Sequence, residues 1–186
     1  LCHTTVRIFW RVLFASFLKI GVRLRNPLLI FINRLFHNEH RSQTMEKYAP
    51  KTKSELRKLL ANPEINLGDI DTSAITDMSN LFGSDFEDDL EFFRLDFSGI
   101  ENWDTSHVEN MSQMFEGIPY FNEPIGKWDV SHVKNMGSMF AGARSFNQPL
   151  NDWDVSNVVD MSSMFNGANC FNQPLDKWNV GKAAHH

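Results

Sequence analysis

Cysteine is scarce: the chain has two, Cys2 and Cys170, in 186 residues. That excludes a disulfide framework, and the absence of any Cys-x-x-Cys pair or Cys/His cluster removes the usual ligands of structural zinc. No window offers ~20 uncharged apolar residues, which disfavours an ordinary membrane-spanning helix. Basic charge is thin in the body of the chain. Residues 45–186 hold 11 Lys and Arg against 22 Asp and Glu, a net −11, whereas residues 1–44 hold seven against one, a net +6. A body of that sign cannot neutralise phosphates, so nucleic acid is not its partner. No glycine elbow surrounds any serine, and neither the DxDxDG loop nor the glycine-rich nonapeptide pattern of calcium sites occurs. What remains is a globular composition, 42% hydrophobic and 22% charged, long enough for one core-forming domain with an appendage.

What the sequence has in abundance is repetition. Written from Trp103, Trp128 and Trp153, it reads WDTSHVENMSQMFEGIPYFNEPIGK, WDVSHVKNMGSMFAGARSFNQPLND and WDVSNVVDMSSMFNGANCFNQPLDK, gap-free units of 25 residues that run to Trp178. The Trp, Asp, Ser, Val, both Met, Phe, Gly, the Phe-Asn pair and Pro are the same in all three. Six of the eight methionines and four of the five tryptophans fall in this pattern, and a seventh methionine, Met78, lies in the partial unit before it. A degenerate unit, IDTSAITDMSNLFG at residues 70–83, matches the first half. It reaches Trp103 by a step of 33, so eight extra residues, with an acidic run at 85–91, interrupt the period.

A unit of 25 residues cannot bury its own apolar face and must stack on its neighbours. Residues 149–155 read as a short extended strand, with Pro149 at its tolerant first position. Val158, Met161, Met164 and Phe165 are spaced three and four apart and read as a helical or 3-10 turn, which Gly167 stops. One short parallel strand and one short helical turn per unit predict an α/β repeat solenoid of leucine-rich-repeat type. The expected parts are a basic amphipathic segment at 1–44, an N-terminal cap at 45–69, the solenoid at 70–180 and a tail at 181–186.

Residues 146–169 read FNQPLNDWDVSNVVDMSSMFNGAN. On those letters the repeat resembles the BspA-like leucine-rich-repeat family, in the mycoplasma-type surface-protein variant with units FNQPLxxWDVSxVxxMxxMFxGAxx. The resemblance covers about residues 52–180. It implies a bacterial surface or secreted repeat protein, often a lipoprotein, of adhesive or unknown function. It carries no catalytic residues over.

Ahead of the repeats, Thr52-Lys53-Ser54-Glu55 fits a capping box, and Leu56, Leu59 and Leu60 line one helical face before Pro63. Ile65-Asn66-Leu67 reads as a first, less regular strand. A helix laid over the end of the stack would shield its apolar rung. In residues 1–44, Val6, Phe9, Trp10, Leu13, Phe17, Ile20 and Leu24 share one helical face, with Arg7, Arg11 and Arg25 opposite, flanked by Lys19 and Arg23. Pro27 breaks this helix. Lys19 and Arg23 interrupt the apolar run and no clean small-residue site follows, so a cleavable signal peptide fits poorly. Two readings stand: residues 6–25 lie on an anionic membrane, or residues 1–44 are upstream sequence and Met45, not Leu1, is the start.

Trp103, Trp128, Trp153 and Trp178 are read as stacked, half-buried rungs in preference to a sugar-binding ladder. The pairs Met111/Met114, Met136/Met139 and Met161/Met164, followed by Phe115, Phe140 and Phe165, are read as core. Asn122, Asn147 and Asn172 are read as an inward-facing ladder that pairs backbone groups. Asp104, Asp129 and Asp154 would form a like-charged column at ~4.8 Å spacing. An Asx turn to Ser106, Ser131 and Ser156 compensates it more simply than calcium does. His107 and His132 align, but Asn157 takes the third position, which makes a poor metal site. No metal, cofactor or catalytic residue is therefore expected. The variable positions form the candidate binding surface: His107/His132/Asn157, Glu109/Lys134/Val159, Glu116/Ala141/Asn166 and Pro119/Arg144/Asn169. Cys170, in the place of Tyr120 and Ser145, marks another variable site. These features predict a non-enzymatic surface or secreted module that contacts a protein or extracellular-matrix partner. The alternative is a membrane-associated structural protein docked by its basic N-terminus. After Trp178 the motif lapses, so the coil at 153–177 is expected to present Val158, Met161, Met164 and Phe165 uncovered, favouring end-to-end self-association.

Overall fold

The computed structural model describes residues 48–82 and 94–183. The amphipathic segment at 6–25, Met45, most of the acidic interruption and His185-His186 lie outside the described residues.

Tyr48 forms a parallel bridge with Ile70: its N–H donates to Asp69 at 2.8 Å and its carbonyl accepts from Asp71 at 2.6 Å. Helix α1 follows at Lys53–Leu60. The Thr52 side chain accepts from the Glu55 N–H at 3.2 Å, and the Glu55 carboxylate accepts from the Lys51 N–H at 2.7 Å. The box thus closes one residue earlier than its usual form, and still satisfies two otherwise unpaired donors. Leu56 and Leu60 are buried and Leu59 is packed beside them. No helix among the described residues is long and apolar enough to cross a membrane.

The stretch Ile65-Asn66-Leu67 is a turn, not the strand expected for it. Asn66 Oδ1 accepts from the Gly68 N–H at 2.8 Å and opens a 3-10 turn, Leu67–Asp69. A short side-chain acceptor competes with extended pairing, and here it wins. A second 3-10 turn, Ile100–Asn102, lies close to the first. Gly99 permits the approach: its φ is +93° and a Cβ there would stand 2.3 Å from the Gly68 nitrogen. Arg94, 4% exposed, ties this region together. Its guanidinium donates to the Leu60 and Asn62 carbonyls at 3.1 and 3.0 Å, to Asp96 at 2.9 Å, and to Ile65. Burial lowers its pKa to about 10, with the Asp96 charge working the other way.

Consecutive units are joined by backbone hydrogen bonds in one repeating pattern. The N–H groups of Met111, Gln113, Phe115 and Gly117 donate to Asn135, Gly137, Met139 and Ala141 at 2.8–2.9 Å. Those of Met136, Ser138, Phe140 and Gly142 donate to Asp160, Ser162, Met164 and Asn166 at 2.7–2.9 Å. The interruption does not break the register, since Met78 and Asn80 reach Asn110 and Ser112 at 2.8 Å. Intervening N–H groups close local turns, such as Glu116 to Gln113 at 3.1 Å and Ala141 to Ser138 at 3.0 Å. The alternation requires left-handed backbone at Gln113, Ser138 and Ser163 (φ 55–57°) and at Gly117, Gly142 and Gly167 (φ 72–74°). Within residues 136–142 the bonded N–H groups face the following unit, and the polarity reverses at the start of the row, where the Lys134 N–H donates to Glu109 and the Lys134 carbonyl accepts from Val159, both at 2.8 Å.

This row differs from the expected division of each unit. Backbone pairing between units falls on residues 134–142, where a helical turn was expected, with one further bond at Ser145 to Pro119, and not on 149–155, where the strand was expected. Among the described residues the pairing is recorded as single parallel bridges, Asp77–Asn110–Asn135–Asp160, with no longer strand. The apolar spacing of three that suggested a helix comes from 3-10-type turns inside the row. Val133, Met136, Met139, Phe140, Phe146 and Leu150 all point into one continuous core.

Candidate interaction surface

The apolar residues shared by every unit, the Trp, Val, Met and Phe, pack inward. Trp103, Trp128 and Trp153 are buried outright, deeper than half-buried rungs, and Trp178 is half-buried. Each indole Nε1 donates to the carbonyl three residues ahead of the preceding unit's first position: Trp103 to Leu67 at 2.9 Å, Trp128 to Ile100 at 3.1 Å, Trp153 to Ile125 at 3.3 Å and Trp178 to Leu150 at 2.9 Å. Ring planes of Trp103 and Trp128 lie 4° apart with centroids at 6.4 Å, and those of Trp153 and Trp178 repeat this at 6.5 Å. Trp103, Trp128 and Trp153, at 3–4% exposure, offer no free face for stacking a sugar. Phe115, Phe140 and Phe165 stack at 5.6–5.7 Å, and each pairs within its own unit with Phe121, Phe146 or Phe171 at 3.7–4.2 Å. Met111, Met136 and Met161 are buried beside them.

The asparagine column lies on the accessible side, with Asn122 and Asn172 exposed and Asn147 half-buried, so it does not face inward as expected. It is still a ladder. Asn122 Oδ1 accepts from the Asn147 N–H at 2.9 Å, and Asn147 Oδ1 from the Asn172 N–H at 3.1 Å. Gln148 and Gln173 reinforce it, donating to Asn122 and Asn147 at 3.1 and 3.0 Å.

Each aspartate of the outer column makes the Asx turn expected of it. Asp104 Oδ1 accepts from the Ser106 N–H at 3.0 Å and hydroxyl at 2.6 Å; Asp129 accepts from Ser131 at 3.0 and 2.7 Å; Asp154 accepts from the Ser156 N–H at 3.1 Å. The serine hydroxyl and N–H hold all three carboxyls below the usual range, with only a small opposing effect of burial. His107 Nδ1 lies 3.0 Å from Ser106 Oγ, and His132 Nδ1 lies 3.3 Å from Ser131 Oγ. Serine therefore sits between aspartate and histidine, the wrong order for a triad in which histidine must take the serine proton. Among the described residues no three of His, Cys, Asp and Glu gather as a metal site.

The variable positions point outward. His107, His132, Asn157, Glu109, Lys134, Val159, Asn166, Pro119, Arg144 and Asn169 are exposed, and Glu116 and Ala141 are partly so. Lys134 Nζ meets the Glu109 carboxylate at 2.7 Å, and this contact lowers the Glu109 pKa. Asn157 Nδ2 donates to the Ser131 carbonyl at 2.8 Å, and Lys182 Nζ donates to Asn157 Oδ1 at 2.8 Å. Cys170 is an exposed thiol.

A second Asx column went unread in the sequence. The Oδ1 atoms of Asp77, Asn110, Asn135 and Asp160 accept from the N–H two residues on at 2.8–3.0 Å, immediately beside the inter-unit row. The recurring Asx-Met-Ser/Gly spelling was the available signal, the same two-residue spacing that revealed Asp104 and Ser106. At Asp77, burial raises the pKa but hydrogen bonds from Ser79 and the charge of Lys53 outweigh it, leaving the carboxyl low. Thr72 and Thr105 were also missed. Each is buried and donates its hydroxyl to a carbonyl of the next unit, Asp104 or Asp129, at 2.8 Å.

A family model described as Mycoplasma protein of unknown function, DUF285, matches residues 86–186, more than half of the chain. No curated protein matches the chain, and no solved structure does.

Proposed function

This chain belongs to the DUF285 family of Mycoplasma proteins, and from that premise we propose that it is a non-enzymatic repeat solenoid of the BspA-like leucine-rich-repeat kind. Its role in this reading is to bind a protein or extracellular-matrix partner at a cell surface or after secretion. One observation carries the reading: the shared apolar positions are spent on the core that the units build together, while the four variable positions of every unit stand outside. A scaffold that keeps its frame and varies its exposed side chains is suited to recognition, where specificity lies in a few surface groups. The test is adhesion of beads coated with the full chain to an epithelial cell layer, compared with a His132→Ala/Lys134→Ala/Arg144→Ala variant. Saturable adhesion that falls about tenfold in the variant, with unchanged melting temperature, supports the reading. Equal adhesion of both chains, or none by either, counts against it.

The charge asymmetry favours a second reading. Residues 1–44 carry +6 against −11 in the remainder, and a basic amphipathic segment docks on anionic lipid. Co-sedimentation with phosphatidylserine vesicles, by the full chain and not by a chain beginning at Met45, would select this reading.

A further inference from the structure

Some positions that the units share lie outside the core. Residues 146–149 and 171–174 both read Phe-Asn-Gln-Pro, a stretch without charge. Their prolines, like Pro124 one unit earlier, are exposed. Asn122 and Asn147 are each fixed by one half of the amide. Their Oδ1 atoms accept twice, from the Asn147 and Asn172 N–H at 2.9 and 3.1 Å and from the Gln148 and Gln173 Nε2 at 3.1 and 3.0 Å. An amide oxygen has two lone pairs, so that half of each asparagine is filled. The Nδ2 donors of Asn122 and Asn147 and the Oε1 acceptors of Gln148 and Gln173 make no hydrogen bond among the described residues. Asn122 is exposed, and the unpaired amide atoms of half-buried Asn147, Gln148 and Gln173 reach solvent. The ladder that joins the units thus leaves an oriented donor, an oriented acceptor and a proline ring on the accessible side, in a column that repeats with the stack.

We propose that this strip binds a neutral, extended polysaccharide laid along the stack, with one sugar against each unit. The proposal does not rest on the lateral recognition surface, because it uses positions that the units share and not those at which they differ. A fixed donor beside a fixed acceptor suits a hydroxyl, which both donates and accepts. The proline ring offers an apolar surface to the C–H face of a sugar. Spacing favours a sugar chain over a peptide. Beside the strip, the rings of Phe121, Phe146 and Phe171 succeed one another at 5.7 and 5.9 Å, a length comparable with one pyranose in an extended chain. An extended peptide repeats its outward groups every two residues, about 6.6–6.8 Å, and drifts out of register along the column. Charge favours a neutral chain over an acidic one, since the strip holds no cation at 146–149 or 171–174 and residues 45–186 carry a net −11.

The test titrates the full ¹⁵N-labelled chain with cellohexaose and with chitohexaose, two neutral β-1,4-linked hexamers, and with the corresponding disaccharides. Saturable binding of a hexamer is expected, with shifts at the side-chain amides of Asn122, Asn147 and Gln148 and none at the backbone amides of Met136 and Phe140. A disaccharide spans fewer units and should bind at least about tenfold more weakly. Asn147→Asp keeps the Oδ1 acceptor that the ladder needs and removes the Nδ2 donor. It should weaken the hexamer about fivefold, the scale of one hydrogen bond, with an unchanged melting temperature. Side-chain amides that do not move at millimolar hexamer overturn the proposal. Equal binding of hexamer and disaccharide also overturns it, as does undiminished binding by folded Asn147→Asp.

Discussion

Trp128 Nε1 donates to the carbonyl oxygen of Ile100, 3.1 Å away and three residues ahead of Trp103, while its ring lies parallel to that of Trp103 at 6.4 Å. One side chain thus supplies both an apolar rung and a polar clamp. The Ile100 carbonyl already accepts from the Trp103 N–H at 3.1 Å, so the indole adds a second hydrogen bond that a purely apolar residue could not supply.

Trp128→Phe keeps much of the stack and removes the donor. The Ile100 carbonyl keeps its bond from the Trp103 N–H, so the loss is that of one hydrogen bond, about 0.5–1.5 kcal/mol. Trp178→Phe, at a half-buried position, should cost less. Urea denaturation of both variants checks the order, and equal losses would show that the hydrogen bond contributes little.

The left-handed positions give substitutions of opposite sign. Ser138 holds φ 55°, a conformation that costs a non-glycine residue energy, so Ser138→Gly should leave stability unchanged or raise it by up to about 1 kcal/mol. Gly142 holds φ 74°, and a Cβ there meets the Gly117 Cα at an ordinary 3.6 Å, so the penalty of Gly142→Ala is conformational, about 1 kcal/mol. Thermal melts that show both variants destabilised equally would contradict this assignment.

The Asx turns link stability to acid. Hydrogen bonds from Ser131 place the Asp129 pKa in the folded chain below its ordinary 3.8. A carboxyl depressed on folding contributes stability that is complete above its unfolded pKa and is lost as pH falls through the folded value. Ser131→Ala should raise the Asp129 pKa towards 3.8 and move the acid-unfolding midpoint to higher pH. Carboxyl NMR titration measures the first effect and circular dichroism against pH the second. An unmoved Asp129 titration would mean that Ser131 does not hold it.

Local signals were legible and long-range ones were not. Thr52 with Glu55, and Asp104 with Ser106, declare themselves because donor and acceptor lie two or three residues apart. The 25-residue period sets Trp103 beside Trp128, because identical units stack in identical register. Met136 and Met139 misled, since a spacing of three fits a helix and also a turn-rich row bonded to its neighbour. The asparagines misled too: Asn147 pairs with the next unit from the accessible side, and sequence spacing alone carries no sign of which side that is. Arg94 was invisible for a different reason. Its partners Leu60 and Ile65 are backbone carbonyls, 34 and 29 residues earlier, next to an interruption that follows no period.

Arg94 therefore yields the sharpest test of how α1 is held. The guanidinium serves carbonyls on both sides of Asn62, including that of Leu60, where the helix ends and its last carbonyls lack helical partners. A planar fork with several fixed donors can reach these acceptors together, whereas an ammonium concentrates its donors at one point. Arg94→Met leaves the Leu60 carbonyl buried without its partner, whereas the Asn62 carbonyl keeps the Ile65 N–H at 3.2 Å, and should cost about 3 kcal/mol, the scale of hydrogen bonds to a charged group. Arg94→Lys should recover only part of this loss. The damage should begin at the cap, so amide exchange at Leu60 and Ala61 should accelerate in both variants before the exchange at Met136 and Ser138 changes. Full rescue by lysine would show that charge alone matters at this position, and uniform acceleration along the chain would show that the cap and the repeats unfold as one.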